Sequence, residues 1–320
     1  MTPKAAVVLA VLACAGTVQP AEAYPDRPVR VIVPYAAGGP TDVTARIIMG
    51  KLSERLGQQF VIDNRGGAGG NIGTAAGAAA APDGYTIIFI TPAQVINMTF
   101  FANPGYDLTR DFQPIALLTT APALLIAHPK LGATSLAEVI ALAKAKPGAL
   151  TFATAGVGVA PHLMMEMIKK SQGIDMVHVP YRGGGPALTD TLAGQVPLMM
   201  DSIVTGLPQV RAGALRGIAV STARRSSLAP DIPTIAESGV AGFDSSLWYG
   251  IVAPAKTPPE IVARLSAEIA AVMKLPEMRE RLLALGSEPA DSDPATFAAF
   301  LKAEAGKWGE VVRTDGMKAE

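Results

Sequence analysis

The sequence has few metal-binding side chains and no excess of charge. It contains one cysteine, three histidines and 5% aromatic residues among 320 positions. This scarcity excludes a disulfide scaffold, a cysteine-rich zinc site and an iron–sulfur cluster. Basic and acidic side chains number 27 each, without a Lys/Arg run. Such a surface is not built to neutralise nucleic-acid phosphates or to lie on anionic lipid, so we expect a small-molecule partner and no nucleic acid.

Familiar catalytic motifs are also missing. The histidines at 128, 162 and 178 have no HxH or HExxH spacing, and no serine occupies a G-x-S-x-G turn. Gly67 and Gly69 are followed by Ile72 where a dinucleotide fingerprint needs its third glycine, and no phosphate-binding Gly-Lys-Ser/Thr follows either. We therefore predict no catalytic residues, no metal and no cofactor. An enzyme with an unfamiliar active site remains an alternative.

The first 23 residues resemble an export signal. They read MTPKAAVVLAVLACAGTVQPAEA, with a basic Lys4, an apolar run over 5–16 and a small-x-small site ending at Ala23. We predict a signal peptide over 1–23, cleaved after Ala23, and export to the periplasm. The apolar run is too short for the roughly 20 residues that a membrane span needs. Acylation at Cys14, as in a lipoprotein, is the other alternative.

Most of the chain alternates short apolar runs with amphipathic segments. VRVIVP at 29–34 precedes a glycine turn and a predicted helix over 41–56, and similar units recur up to residue 220. This alternation predicts parallel sheets with helices on both faces. Three further helices, over 258–274, 276–285 and 294–312, form a helical tail. The simplest architecture is α/β with two lobes, lobe 1 comprising 24–121 plus 222–320 and lobe 2 comprising 122–221.

Glycine-rich turns precede several of the predicted helices. They occupy 35–42 and 66–71 in the first lobe, and 155–162 and 183–186 in the second. The first N–H groups of a helix lack intrahelical partners, and glycine lets an anion approach them closely. In open α/β sheets these turns lie beyond the carboxyl ends of the strands, where ligands bind. Each turn alone is also explained as a tight connection; their recurrence in both lobes favours a ligand site.

Four long segments resemble one family. They are AEAYPDRPVRVIVPYAAGGPTDVTARII, DNRGGAGGNIGTAAGAAAAPDGYTI, MVHVPYRGGGPALTDTLAGQVPLMMDS and WYGIVAPAKTPPEIVARL. Together they are similar to the Bug-type extracytoplasmic solute-binding proteins of tripartite tricarboxylate transporters. The resemblance covers essentially the whole chain after residue 23. It implies a two-lobed Venus flytrap fold, a periplasmic location, and capture of a small organic carboxylate for transient delivery to the transporter's membrane subunits, by a monomer.

The resemblance also implies which residues bind the ligand. In the first lobe these residues form a proximal anion site: Tyr35, Ala36, Ala37, Gly38, Gly39, Thr41, Asp42, Ala68, Gly69, Gly70 and Asn71. In the second lobe they face the other end of the ligand: Thr154, Ala155, Gly156, Gly158, His162, Tyr181, Gly183, Gly184 and Asp201. Here Val157 and Val159 replace polar residues of many relatives, which suggests an aliphatic or aromatic carboxylate rather than an amino acid.

Several of these residues have a second interpretation. His162 could donate to a ligand, cap its own helix or fill a cavity. Asp201 could accept a hydrogen bond from a ligand or cap the following helix. Asp42 would repel a bound anion unless its carboxylate is turned away. We expect Trp248 and Tyr249 in the core beneath the helical tail rather than in the cleft. A protein that signals to a sensor kinase is the alternative to transport.

Overall fold

The computed structural model describes residues 24–314 and 316–318, so the predicted signal peptide and Cys14 lie outside the described residues. In this part of the chain the strands are β1 Val29–Val33, β2 Phe60–Asn64, β3 Thr86–Ile90, β4 Phe112–Ala127, β5 Thr151–Thr154, β6 Val177–Pro180, β7 Leu198–Ser202, β8 Arg216–Val220, β9 Ser246–Pro254 and β10 Glu288–Pro289. The helices are α1 Pro40–Leu56, α2 Asn71–Ala78, α3 Pro92–Phe100, α4 Leu136–Ala145, α5 Ala160–Gln172, α6 Gly184–Leu192, α7 Ile203–Arg211, α8 Pro259–Met273, α9 Pro276–Ala284 and α10 Pro294–Thr314.

The strands form two sheets that share the long strand β4. In the first lobe β1 pairs in parallel with β2 and β3, while β9 runs antiparallel between β3 and β4. In the second lobe β5 pairs in parallel with β6 and β7, and β4 runs antiparallel to β7 and β8. β4 pairs with β9 up to Pro122 and with β7 from Ala123 onward. The expected two-lobed α/β fold is thereby confirmed.

The elements begin and end where local sequence signals place them. Pro40 opens α1, and Gly57 ends it in the left-handed conformation that glycine adopts without strain. Ser135 caps α4 by accepting the N–H of Glu138. The carboxylate of Glu138 bonds the N–H of Thr134, one residue ahead of the cap, instead of closing a reciprocal capping box.

Both lobes have apolar cores, and two segments connect them. Helix α10 packs Phe297 against Trp248 of β9, and its last turns bring Trp308 into a cluster with second-lobe residues. The segment 222–245 packs on the second lobe, where the Ile235 N–H bonds Val220 O at 2.8 Å and Phe243 joins the same cluster as Leu163. None of the helices within the described ranges is long and apolar enough to cross a membrane.

Candidate functional site

A cavity of about 40 Å³ lies between the two lobes, where the first residues of four helices meet. The first lobe contributes Pro40 and Thr41 of α1 and Pro92 of α3; the second contributes Ala160 and Pro161 of α5 and Gly184 of α6. Helix N-termini carry partial positive charge and free N–H groups. Their convergence makes the cavity attractive to a negatively charged group.

Three of these four helices have no side chain capping their first turn. The residues before α1, α5 and α6 are Gly39, Val159 and Gly183, and none of them forms a side-chain cap hydrogen bond. Only α3 is capped, since the hydroxyl of Thr91 accepts the N–H of Ala93 at 3.3 Å. Ser, Thr, Asp or Asn normally occupies this position and bonds the first-turn N–H groups. A ligand oxygen can take that place in α1, α5 and α6.

The lobes touch through backbone segments that leave no room for a β-carbon. The Ala36 N–H donates to Arg182 O across the cleft at 3.0 Å. A β-carbon on Gly185 would lie 2.3 Å from Ala37 O, and one on Gly39 would lie 3.1 Å from Gly184 N. Neither glycine has a positive φ. These positions therefore need glycine for close approach between the lobes rather than for an unusual backbone conformation.

Asp42 holds the first glycine turn in place and does not face the cavity. Its carboxylate accepts the Gly38 N–H at 3.0 Å, Arg46 Nε at 2.9 Å and Asn64 Nδ2 at 3.0 Å. Burial acts to raise the pKa of Asp42, but the hydrogen bonds from Arg46, Gly38 and Asn64 outweigh it and lower the pKa. The carboxylate is charged and turned away from the space where an anion would sit.

Tyr35 is fixed by the start of α3. Its hydroxyl lies 2.9 Å from Thr91 Oγ1, and Gln94 Oε1 accepts the Thr91 N–H at 2.8 Å. Burial raises the pKa of Tyr35 to about 12, so the phenol stays neutral. The result is a rigid polar wall on the first-lobe side of the cavity.

The second-lobe glycine turn is held from behind by two stacked histidines. Thr154 Oγ1 lies 2.7 Å from His178 Nε2, and His162 Nδ1 accepts the Gly158 N–H at 3.3 Å. The two imidazole rings stack with centroids 4.1 Å apart. Burial lowers the pKa of His162 to about 4 and that of His178 to about 3, with Lys169 adding to both shifts, so both rings are neutral. His162 thus supports its own loop and does not line the cavity.

Asp201 presents a buried carboxylate to the cavity. It lies at the end of β7 and is 4% exposed, and its nearest hydrogen-bonding side chain, Thr205, has its hydroxyl 3.5 Å away. Ser202, not Asp201, caps α7 by accepting the Val204 N–H, so the capping alternative was wrong by one residue. Burial raises the pKa of Asp201 to about 7, although the Ser202 N–H and the Thr205 hydroxyl favour the charged form.

The structure brings some of the predicted site residues to the cavity and leaves others behind it. The predicted residues that line it are Tyr35, Gly39, Thr41, Ala155, Gly184 and Asp201. Those predicted residues that do not line it lie in the turns beside or behind it: Ala36, Ala37, Gly38, Asp42, Ala68, Gly69, Gly70, Asn71, Thr154, Gly156, Gly158, His162, Tyr181 and Gly183.

Val159, predicted from the sequence as an apolar part of the second-lobe pocket, also lines the cavity. Sequence reasoning missed other lining residues: Pro40, Thr91, Pro92, Ala160, Pro161, Leu247, Trp248 and Tyr249. The signal for Thr91 and Pro92 was the T-P pair directly after an apolar run, which is typical of a capped helix start. Trp248 packs under α10 as expected, yet it also lines the cavity.

The second glycine loop closes the cleft at its side. A β-carbon on Gly69 would lie 2.0 Å from Val157 O in the opposite lobe. Behind it, Asn71 Oδ1 accepts Asn97 Nδ2 at 2.8 Å and the Tyr106 hydroxyl at 3.2 Å. Within residues 24–314 and 316–318, no group of three or more His, Cys, Asp and Glu side chains is arranged to hold a metal ion.

Comparison with known families identifies the chain. The family profile described as "Tripartite tricarboxylate transporter family receptor" matches residues 44–317. The chain belongs to this family. It is also 35% identical over 322 residues to the protein BugT of Bordetella pertussis, a match that covers 99% of both chains. The resemblance to Bug-type binding proteins is therefore confirmed.

Solved structures of similar proteins have the same fold. The periplasmic binding protein BugD superposes with a TM-score of 0.90 at 35% identity, covering 93% of this chain and 100% of that one. An R. palustris protein solved with adipate superposes with a TM-score of 0.89 at 36% identity, covering 92% of this chain and 99% of that one. The MatC protein of Rhodopseudomonas palustris with bound malate superposes with a TM-score of 0.86 at 34% identity, covering 90% of this chain and 100% of that one. One of these similar proteins is thus a periplasmic binding protein, and the other two were solved with small dicarboxylates.

Proposed function

We propose that this protein captures a small organic carboxylate in the cavity between its lobes and delivers it to the membrane subunits of a tripartite transporter. One observation carries the proposal: the N-termini of four helices, two from each lobe, meet at one cavity. A carboxylate there receives N–H groups from both lobes at once. Each charge-assisted hydrogen bond contributes about 1.5–3 kcal/mol, so two or three of them support micromolar binding before ordering costs.

Three helix starts that lack a side-chain cap support this assignment. When the ligand's oxygens bond the first-turn N–H groups of α1, α5 and α6, they do what a Ser or Asp cap does elsewhere. No arginine or lysine is among the residues lining the cavity. Recognition therefore depends on backbone groups and helix dipoles, and it needs no resident cation.

The remaining walls favour a hydrocarbon body. Apolar side chains of Val159, Ala160, Pro161, Leu247 and Trp248 surround the polar helix starts. Related proteins have been solved with adipate and with malate. We infer that the ligand is an aliphatic or aromatic carboxylate, since an ammonium group would meet few acceptors other than Asp201 along these walls.

The loops beside the cavity complete the proposed site. The first glycine turn 35–42, which supplies Tyr35, Gly39 and Thr41 to the cavity, holds one carboxylate of the ligand, and the second loop 66–71 closes the cleft beside it. The second-lobe turns at 154–162 and 181–185 face the other end of the ligand. Opening of the lobes about the crossings near residue 121 and near residues 221–245 admits the ligand. Closure brings the Ala36 N–H back to Arg182 O. A ligand that binds the closed state more tightly shifts the population toward it.

Two observations support a periplasmic setting. A similar solved protein, BugD, is a periplasmic binding protein, and residues 1–23 have the features of an export signal. We propose a periplasmic monomer, cleaved after Ala23, that acts by binding and not by turnover. Its membrane partner would recognise the closed, ligand-bound form.

A thermal-shift screen tests the proposal. The purified protein is heated with acetate, succinate, adipate, benzoate and glutamate, each at concentrations up to tens of millimolar. Binding to the folded state alone adds about 2.7 kcal/mol at one hundred times Kd. We expect adipate or benzoate to raise Tm by several degrees and to be recovered unchanged by NMR. Consumption of the ligand would identify an enzyme, and a preference for glutamate would overturn the inferred ligand class.

A further inference from the structure

We propose that the cavity binds its carboxylate ligand together with one proton, held between Asp201 and the ligand. This inference rests on the proposed function and deepens it by naming the protonation state that the site accepts. A carboxylate ligand and an ionised Asp201 would be two like charges in a cavity of about 40 Å³. They can share this space only when a proton lies between them.

Asp201 faces the partial positive charge of two helix starts but no cationic side chain among the residues that line the cavity. In the part of the chain that the structure describes, no ion pair involves Asp201. Its strand neighbour in β4 is Leu124, and the starts of α1 and α6 face it with uncharged Pro40 and Gly184. A carboxylate buried without a cation avoids the cost of desolvation by holding a proton.

Near neutral pH, Asp201 is the group at this position that gains or loses a proton, because the titratable groups around it do not. Tyr35 faces it from the turn after β1, and Tyr249 faces it from β9. Burial holds the pKa of Tyr35 near 12 and raises that of Tyr249 further still, so both phenols are neutral between pH 5 and 9. Thr205 on α7 does not titrate. Asp42 at the start of α1 is turned to Arg46 and remains charged.

The direction of the pH dependence follows from the pKa of Asp201, which burial raises to about 7. Below pH 7 the free protein already holds the proton, and the ligand binds with no uptake. Above pH 7 the proton must come from solvent, so affinity falls roughly tenfold per pH unit. The solvent therefore supplies one proton, and the ligand binds as its anion. The only bond formed is the O–H bond of the protonated carboxyl group.

Calorimetric titration tests this proposal with acetate, succinate, adipate and benzoate as probes. At pH 8 each probe is titrated in HEPES and in Tris, and at pH 5.5 in MES and in Bis-Tris. The two buffers of each pair have different heats of ionisation, so the difference between them gives the number of protons taken up. We expect uptake of about one proton per ligand at pH 8 and close to none at pH 5.5. Binding without uptake at pH 8 would overturn the proposal and leave carboxylate binding intact.

Substitution assigns the proton to Asp201. In Asp201→Asn the amide donates permanently, so we expect no uptake and similar affinity at pH 6.5 and pH 8.5. Asp175→Asn is the matched control, because Asp175 is exposed in the same lobe and does not line the cavity; it should behave as wild type. Equal proton uptake in wild type and Asp201→Asn would contradict the proposal.

A measurement on the unsubstituted protein keeps the test decisive if Asp201→Asn does not fold. With ¹³C-labelled aspartate, NMR should show one carboxyl carbon that titrates near pH 7, and a saturating probe should hold that carbon in its protonated form up to pH 8. A full set of aspartates titrating below pH 5 would contradict the proposal. If no probe binds between pH 5 and 9, the proposed function itself fails, and this inference falls with it.

Discussion

At the scale of single residues, the glycines facing each other across the cleft decide how closely the lobes approach. Gly185 and Gly39 belong to opposite lobes, and added β-carbons would meet backbone atoms of the facing turn. Since neither residue has a positive φ, alanine is compatible with each turn taken alone. The contact limits closure and not the folding of either lobe.

We therefore predict that Gly185→Ala weakens carboxylate affinity by about tenfold to a hundredfold, corresponding to an overpacking cost of about 1–3 kcal/mol in the closed state. The new β-carbon would lie 2.3 Å from Ala37 O only when the lobes are closed. Calorimetry measures the affinity, and Tm of the ligand-free protein should stay near that of wild type.

Gly306→Ala provides the control for this substitution. Gly306 is exposed within α10 and an added β-carbon would have no neighbour within 4 Å. The carboxylate affinity of the Gly306→Ala variant should equal that of wild type, and its free energy of unfolding should be unchanged or slightly higher. Wild-type affinity in Gly185→Ala would show that the binding-competent state does not need this close contact.

At the scale of elements, sequence patterns located the first βα units and the helical tail but missed most of β4, which joins the lobes, and all of β9. The predicted helix over 41–56 corresponds to α1, and the predicted tail helices correspond to α8, α9 and α10. The alternating pattern does not predict the full 16-residue strand β4, and it does not predict β9. β4 contains two prolines, and its pairing with β9 shifts register twice, so the segment lacks the regular pattern of a strand.

The residues of the candidate site were also only partly predictable from the sequence, because local patterns reveal turns but not long-range strand pairing. Gly39 and Gly184 were recognisable because glycine turns precede their helices. Leu247 and Trp248 were not, since they reach the cavity from β9, which is fixed by long-range pairing with β3 and β4. Sequence alone also gave no sign that 222–245 would pack on the second lobe.

Helix α10 is attached to β9 by a shared carboxylate, which makes a prediction about stability. Glu304 Oε2 accepts the indole N–H of Trp248 at 2.7 Å and that of Trp308 at 3.1 Å. Trp248 and Trp308 are each 1% exposed. We predict that Glu304→Ala lowers the free energy of unfolding by about 2–4 kcal/mol, because it leaves two buried donors without an acceptor. Denaturant unfolding measures the change.

Two further variants test whether the loss of stability comes from the missing hydrogen-bond acceptor or from the missing negative charge. Glu304→Gln retains an acceptor oxygen, so it should lose less stability than the alanine variant. Glu310→Ala removes an exposed carboxylate from the same helix and should change the free energy of unfolding by less than about 0.5 kcal/mol. Equal losses in Glu304→Ala and Glu310→Ala would mean that the indole contacts do not hold α10 in place.

At the scale of the whole molecule, the proposed function predicts that ligand binding and lobe motion are coupled. The cavity of about 40 Å³ has room for about three water molecules, which is less than a dicarboxylate needs. Under the proposed function, a ligand of that size must therefore enter while the lobes are apart. The helix starts that we propose bind it lie on both lobes, so binding energy is available only when the lobes are close together.

This coupling predicts a distance change between α2 in the first lobe and α6 in the second. Ile72 is 57% exposed near the start of α2, and Thr189 is exposed on α6. With Cys14, the only cysteine in the sequence, replaced by serine, spin labels at Ile72→Cys and Thr189→Cys report the separation of the lobes by pulsed electron resonance. A binding carboxylate should convert a broad, longer distribution into a narrower, shorter one, because closure brings the two helix starts together. Labels at Ile72→Cys and Val61→Cys, both exposed and both in the first lobe, should show no change. Identical interlobe distributions with and without ligand would mean that binding does not drive closure.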